Sequence, residues 1–159
     1  MKKTVLIIDD SKTQLETLKI ILKRSGYNVV TACNPQEGFC KIFEIAPDLI
    51  ISDIVMPDLN GYQFCKLVKS MCYSKEIPVI LLTVLDQKID KFWSTKSGAN
   101  RFVPKTIPSD ELIKICNNTI NENPVNDATK KQILCKKINI DEVPNILNQI
   151  LDNTLIRST

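Results

Sequence analysis

The chain has 159 residues, 43% hydrophobic and 25% charged, with 21 basic and 18 acidic side chains for a net charge of +3. That balance fits one globular domain, or one domain with a short appendage. From residue 122 onward acidic and basic groups are equal in number, so no basic arm points to nucleic acid. Histidine is absent, which excludes a histidine phosphodonor in this chain, a histidine–metal site and a Ser-His or Cys-His catalytic pair.

Thr4–Ile8 is a short apolar run with β-branched residues, ends in Asp9-Asp10 and reads as a buried strand. Ser11 is a good N-cap for a helix whose stripe is Leu15, Leu18, Ile21 and Leu22, closed by Gly26. Asn28–Ala32 is the second strand. Asn34-Pro35 opens a second helix with Phe39, Ile42 and Phe43 on one face, and Pro47 stops it. Leu49–Ser52 is the third strand, ending in Asp53 before a loop with Pro57, Asp58, Asn60 and Gly61. Phe64, Leu67, Val68 and Met71 mark a third helix. Val79–Leu82 is the fourth strand, ending in Thr83. Ile89, Phe92 and Trp93 suggest a fourth helix, with the aromatic pair as packing, closed by Gly98. Arg101–Val103 is a fifth strand running to Pro104-Lys105. Ser109 is expected to cap a fifth helix through Leu112, Ile113, Cys116 and Ile120.

Strict alternation of strand and helix implies an α/β fold with a five-stranded parallel sheet, doubly wound, with helices on both faces. Strands that are apolar throughout fit burial on both sides. Residues 1–121 form this domain, and 122–159 a linker and short helical C-terminal extension. In the extension Asp127 and Asp141 are expected to cap two helices. The second would carry Val143, Ile146, Leu147, Ile150, Leu151 and Leu155 on one face, with Pro144 tolerated in the first turn. That stripe is expected to pack on its own domain or on a dimer mate.

No apolar run approaches the roughly 18 residues of a membrane span. Asp9 and Asp10 interrupt any signal-type segment after Met1-Lys2-Lys3. A cytoplasmic location is expected. The six cysteines (Cys33, Cys40, Cys65, Cys72, Cys116 and Cys135) include no C-x-x-C pair, so reduced, mostly half-buried thiols are expected.

The polar residues at the strand ends carry the chemistry. In a parallel sheet all C-terminal strand ends share one edge, where open α/β sheets bind ligands. Asp9, Asp10, Asp53, Thr83 and Lys105 therefore converge. The three aspartates can also cap helices, but their meeting with a lysine and a hydroxyl points further. Packed carboxylates either rise in pKa or take a cation, and an all-oxygen set favours a hard ion such as Mg2+. A divalent ion, a lysine and a hydroxyl suit a phosphoryl group, and a carboxylate can itself be the nucleophile.

Leu-Ile-Ile-Asp-Asp-Ser, Asp53-Ile-Val-Met-Pro-Asp-Leu-Asn-Gly, Leu-Leu-Thr83 and Gly-Ala-Asn-Arg-Phe-Val-Pro-Lys105 together resemble the receiver domain of bacterial two-component response regulators, over residues 4–120. The resemblance implies a flavodoxin-like sheet of strand order 2-1-3-4-5. It implies Asp53 as phosphoacceptor, magnesium held by Asp10 directly, by Asp9 with help from water, by Asp53 and by the Val55 main-chain carbonyl, with Lys105 in the site. Thr83 would be the switch hydroxyl and Phe102 the switch aromatic, so that phosphorylation remodels the face of the fourth helix, fifth strand and fifth helix. The implied role is a phosphorylation-dependent signalling switch rather than an enzyme. Its donor would be a sensor histidine kinase or phosphotransfer protein, its output a downstream protein target, without direct nucleic-acid or membrane binding. A homodimer through that face or the tail is a further expectation.

Two positions depart from the family pattern. Thr106 follows Lys105 where proline, often cis, is usual. A cis non-proline bond costs roughly 2.5–4 kcal/mol, so a trans bond or a strained loop is expected. Val84 follows Thr83 where a small residue is usual and, with Val55 and Leu85, would crowd the mouth of the site and slow entry of water or donor. The alternative reading is the N-terminal receiver fragment of a larger response regulator or hybrid signalling enzyme. An aspartate-nucleophile hydrolase would show Asp-x-Asp after the first strand, and a flavin module a hydroxyl- and glycine-rich loop there; Asp9-Asp10-Ser11 is neither.

Overall fold

The strands are short, apolar and β-branched, and the sheet they form is buried on both faces. A computed structural model of the chain describes residues 1–84 and 96–156. Its strands are β1 (Thr4–Ile8), β2 (Asn28–Ala32), β3 (Leu49–Asp53), β4 (Val79–Thr83) and β5 (Arg101–Pro104). All pair in parallel, in the expected order β2-β1-β3-β4-β5. The helices are α1 (Lys12–Arg24), α2 (Pro35–Ile45), α3 (Gly61–Ser70), α4 (Ser109–Glu122), α5 (Asp127–Cys135) and α6 (Val143–Ile156). The fourth helix expected from Ile89, Phe92 and Trp93 falls on residues outside the described set, as do the side chains of Ile150, Leu151 and Leu155; α4 is the fifth helix of the sequence reading.

Alternation along each strand divides the core in two. On one face Val5, Ile7, Leu49, Ile51, Ile80, Leu82 and Val103 meet Leu15 and Leu22 of α1 and Leu112, Cys116 and Ile120 of α4. On the other, Leu6, Ile8, Ile50, Val79 and Leu81 meet Phe39, Ile42 and Phe43 of α2 and Phe64, Leu67 and Val68 of α3. α1 ends through Ser25, followed by Gly26 at φ 92, a left-handed position that glycine adopts without strain.

The helix starts differ from expectation at three places. Pro108 occupies the N-cap of α4 and Ser109 is the first helical residue, with no side-chain cap bond. Asp110 and Glu111 in the first turn offset the helix dipole instead. Asn126, not Asp127, caps α5, its side-chain oxygen accepting from the Thr129 N–H at 2.8 Å. Asp141 lies in a single 3-10 turn, Ile140–Glu142, that leads into α6. Met71 lies just past α3, as its extended C-cap residue.

The C-terminal helices lie on α2 and α3. Val125, Ile133, Val143 and Leu147 are buried in the same cluster as those helices. Polar contacts fix the register. Asp48, 1% exposed, accepts the Thr4 N–H at 2.8 Å and lies 2.7 Å from the Lys130 ammonium and 3.5 Å from that of Lys3. Thr129 Oγ1 donates to Glu76 at 3.1 Å, and the Lys136 ammonium sits 4.5 Å above the Tyr73 ring. Ile133 is fully buried, so Ile133→Ala is expected to cost about 2–4 kcal/mol. Thermal denaturation should show one transition lowered by about 5–15 °C; an unchanged main transition would mean that α5 is not part of the core.

No helix among the described residues is long and apolar enough to cross a membrane. All six cysteines are free. Cys65 and Cys116 are buried, and burial pushes both thiols up to about 12. Cys40 is half-buried, and Cys33, Cys72 and Cys135 are exposed.

Candidate functional site

The sheet order delivers the polar groups side by side. Asp9 follows β1, Asp53 ends β3, Thr83 ends β4 and Lys105 follows β5. Because β1 and β4 flank β3, Asp53 sits between the aspartate and the hydroxyl, and β5 carries the lysine in from the side. The backbone N–H of Lys105 donates to the Thr83 carbonyl at 2.8 Å, which continues the β4–β5 ladder by one bond. The Lys105 ammonium reaches Asp53 Oδ1 at 3.0 Å and Asp9 Oδ2 at 3.6 Å. No cis peptide bond occurs among the described residues, so the Lys105–Thr106 bond is trans.

Asp9, Asp53 and Thr83 are buried, with 1%, 6% and 7% exposure, while Asp10 is exposed. Asp53 Oδ1 also accepts the Ile54 N–H at 2.8 Å, and Asp9 Oδ1 accepts the Ser11 N–H at 2.9 Å. Helix capping does not occupy these carboxylates. Ser11 caps α1, and Asn60 caps α3 in a capping box with Gln63.

Carboxylate oxygens of Asp9, Asp10 and Asp53 lie within 4.8 Å of one another, and no other metal-type cluster occurs among the described residues. Asp9 Oδ2 is buried without a hydrogen-bond partner, a costly state for a carboxylate oxygen that a cation relieves. The donor set therefore fits Mg2+, a hard ion that binds one or two carboxylates and keeps several waters. Burial holds the Asp9 carboxyl above its usual range, with Asp53 and Asp10 adding to the rise. The Ser11 N–H and Lys105 oppose it. A raised carboxyl binds its proton more tightly folded than unfolded, so the metal-free protein gains stability as pH falls through that range and loses it as pH rises. Asp9→Asn should raise the Tm of the metal-free protein at pH 7, flatten its rise on acidification above the ordinary carboxylate range, and remove the stabilisation by added Mg2+. Melting curves in chelator and in Mg2+ check all three.

The loop from Asp53 to α3 is drawn tight. The Gly61 N–H donates to the Ile54 carbonyl at 2.8 Å. A Cβ on Gly61 would lie 2.2 Å from the Asp53 carbonyl oxygen, so only glycine fits where α3 begins. Val55 and Val84, close in sequence to Asp53 and Thr83, are 60% and 71% exposed; Leu85 lies outside the described residues.

Phe102 projects to the α2–α3 side of the sheet, partly buried. It stacks on Tyr62 of α3, with ring centroids 5.7 Å apart and planes 23° from parallel. The sequence reading placed Phe102 but not Tyr62. The helical stripe of Phe64, Leu67 and Val68 accounts for the sheet-facing side of α3, while Tyr62, 8% exposed, is buried against β5. Its position next to Gly61 was the available signal.

A family model described as the response regulator receiver domain matches residues 5–117. Protein PilH of Pseudomonas aeruginosa is 35% identical over 113 residues, covering 71% of this chain and 93% of PilH. Protein PilG of the same organism is 38% identical over 109 residues, covering 69% of this chain and 81% of PilG. The crystal structure of the receiver domain of a signal transduction histidine kinase from Syntrophus aciditrophicus superposes with a TM-score of 0.73 at 34% identity, covering 79% of this chain and 96% of that one.

Proposed function

The chain belongs to the response regulator receiver domain family, and on that premise we propose that it is a signalling switch that accepts a phosphoryl group on Asp53 with Mg2+ bound. The observation that carries this reading is the Lys105 ammonium 3.0 Å from Asp53 Oδ1, beside a three-carboxylate cluster at the strand-end edge. Oδ1 is held by Lys105 and the Ile54 N–H, which leaves Oδ2 as the oxygen engaged by neither. Oδ2 attacks the phosphorus of a phosphohistidine or small acyl phosphate; the O–P bond forms as the donor's bond to phosphorus breaks, and the donor keeps the electron pair. Asp9, Asp10, Asp53 and the Val55 main-chain carbonyl would hold Mg2+, which would supply positive charge to the phosphoryl oxygens. Lys105 supplies a second positive charge, and the Thr83 hydroxyl a hydrogen bond.

The product is a charged group at the junction of β3, β4 and α3. Thr83 turning toward it frees space that Phe102 can enter, and the face around β5 changes shape. The phosphohistidine donor in this reading is a sensor kinase or phosphotransfer protein, and the target is a downstream protein.

The test is beryllofluoride, which forms a phosphoryl-like adduct on carboxylates. With Mg2+ at about 100 times the dissociation constant it should stabilise the protein by about 2.7 kcal/mol, read as a rise of about 5–10 °C in Tm. Asp53→Ala should show no rise. An equal rise in the variant would place the adduct elsewhere.

A further inference from the structure

We infer that Tyr62 is a positioning residue that latches Phe102 in the resting state, so that the aromatic pair sets how readily the site takes up a phosphoryl group. The inference rests on the switch reading above and deepens it. Three observations carry it. The rings are stacked, near-parallel at 5.7 Å, a geometry that holds aromatic pairs beyond simple burial. Tyr62 is 8% exposed and its backbone follows Gly61 directly. Gly61 itself lies against the main chain of Asp53 and is hydrogen-bonded to the Ile54 carbonyl.

The ring that holds Phe102 is thus carried by a segment tied to the phosphoacceptor's own main chain. A group added to Asp53 acts on Phe102 along two routes. One runs through Thr83 and the β4–β5 pair, where Leu81 lies opposite Phe102. The other runs through Ile54, Gly61 and Tyr62. An interaction made only in the resting state must be given up on switching, and by linkage it weakens the ligand that drives the switch. Tyr62 therefore opposes modification of Asp53.

The experiment places 4-trifluoromethylphenylalanine at position 102 of the full chain and follows its 19F resonance during beryllofluoride titration in Mg2+. In the parent the resonance is expected to move on saturation. In Tyr62→Leu it should already lie toward the saturated position before beryllofluoride is added. Half-saturation should fall about three- to tenfold, the factor that the loss of one ordinary aromatic pair supplies. Tyr62→Phe keeps the ring and should lie nearer the parent than Tyr62→Leu does. Phe102→Leu, with binding read from Tm shifts, breaks the stack from the other side and should tighten binding by a similar factor.

An unchanged resonance and half-saturation in Tyr62→Leu would overturn the latch and leave the switch reading standing. So would weaker binding together with a lowered Tm, the mark of a merely structural ring. If the parent itself takes up no beryllofluoride, the switch reading fails first and the latch with it.

Discussion

Lys105→Met should slow phosphorylation by acetyl phosphate in Mg2+ at least about a hundredfold, the scale seen when one preorganised electrostatic group is removed. Methionine keeps most of the side chain's length and its apolar stem while deleting the charge. The ammonium lies within ion-pair distance of both buried carboxylates of the site, 3.0 Å from Asp53 Oδ1 and 3.6 Å from Asp9 Oδ2. Without it the incoming phosphoryl oxygens meet three carboxylates with only the bound ion to offset them. The fold should persist, because no core contact depends on the charge. A time course of phosphoryl gain, alongside a melting curve, separates the two effects. A loss of less than threefold would mean that Lys105 is a structural ion-pair partner only.

Gly61→Ala is the second large effect. The new Cβ would lie 2.2 Å from the Asp53 carbonyl oxygen and 2.8 Å from the Ile54 Cα, both main-chain atoms. No rotamer change relieves this. Either α3 retreats, breaking the Gly61–Ile54 hydrogen bond, or the Asp53 main chain moves and carries the carboxylate with it. The cost should exceed about 3 kcal/mol, at the high end for a single substitution, and beryllofluoride binding should weaken together with stability. Gly38→Ala is the control. There the Cβ would meet Cδ1 and Cγ1 of buried Ile8 at 2.5 and 2.9 Å, side-chain rather than main-chain atoms, so the cost should be smaller, about 1–3 kcal/mol, with binding intact. Denaturant unfolding and beryllofluoride titration of the two variants check the contrast. Equal behaviour would mean that the tight approach at Gly61 has no bearing on the site.

Much of this architecture is readable in the residues because two simple signals coincide. Val5–Ile8, Leu49–Ile51 and Val79–Leu82 are apolar at every position, which fits a sheet covered on both faces. Within two residues each such run also gives way to a polar group that breaks the apolar pattern, Asp9, Asp53 or Thr83. Parallel pairing alone then brings those ends to one edge, and the structure places Asp9, Asp10 and Asp53 together there with Lys105.

What was not readable depends on contacts between elements distant in sequence. Periodicity says which face of α6 is apolar, not what it covers; Val143 and Leu147 lie on α2 and α3. Nothing local marks Asp48 as the anchor of Lys130, 82 positions away along the sequence yet 2.7 Å away in space. Tyr62 escapes for the same reason, since its partner belongs to β5. The caps at Ser109 and Asp127 were misplaced by one residue each. Asn126 takes the extended cap position beside Asp127, where the local sequence offers two acceptable caps, whereas Pro108 precedes α4 without any side-chain cap bond.

The central claim is acceptance of a phosphoryl group by Asp53. Intact mass after incubation with acetyl phosphate tests it most directly. The account predicts a gain of one phosphoryl group, about 80 Da, in the parent with Mg2+ and none in chelator or in Asp53→Ala. A gain that persists in Asp53→Ala, or no gain in a parent shown to bind Mg2+, would contradict it.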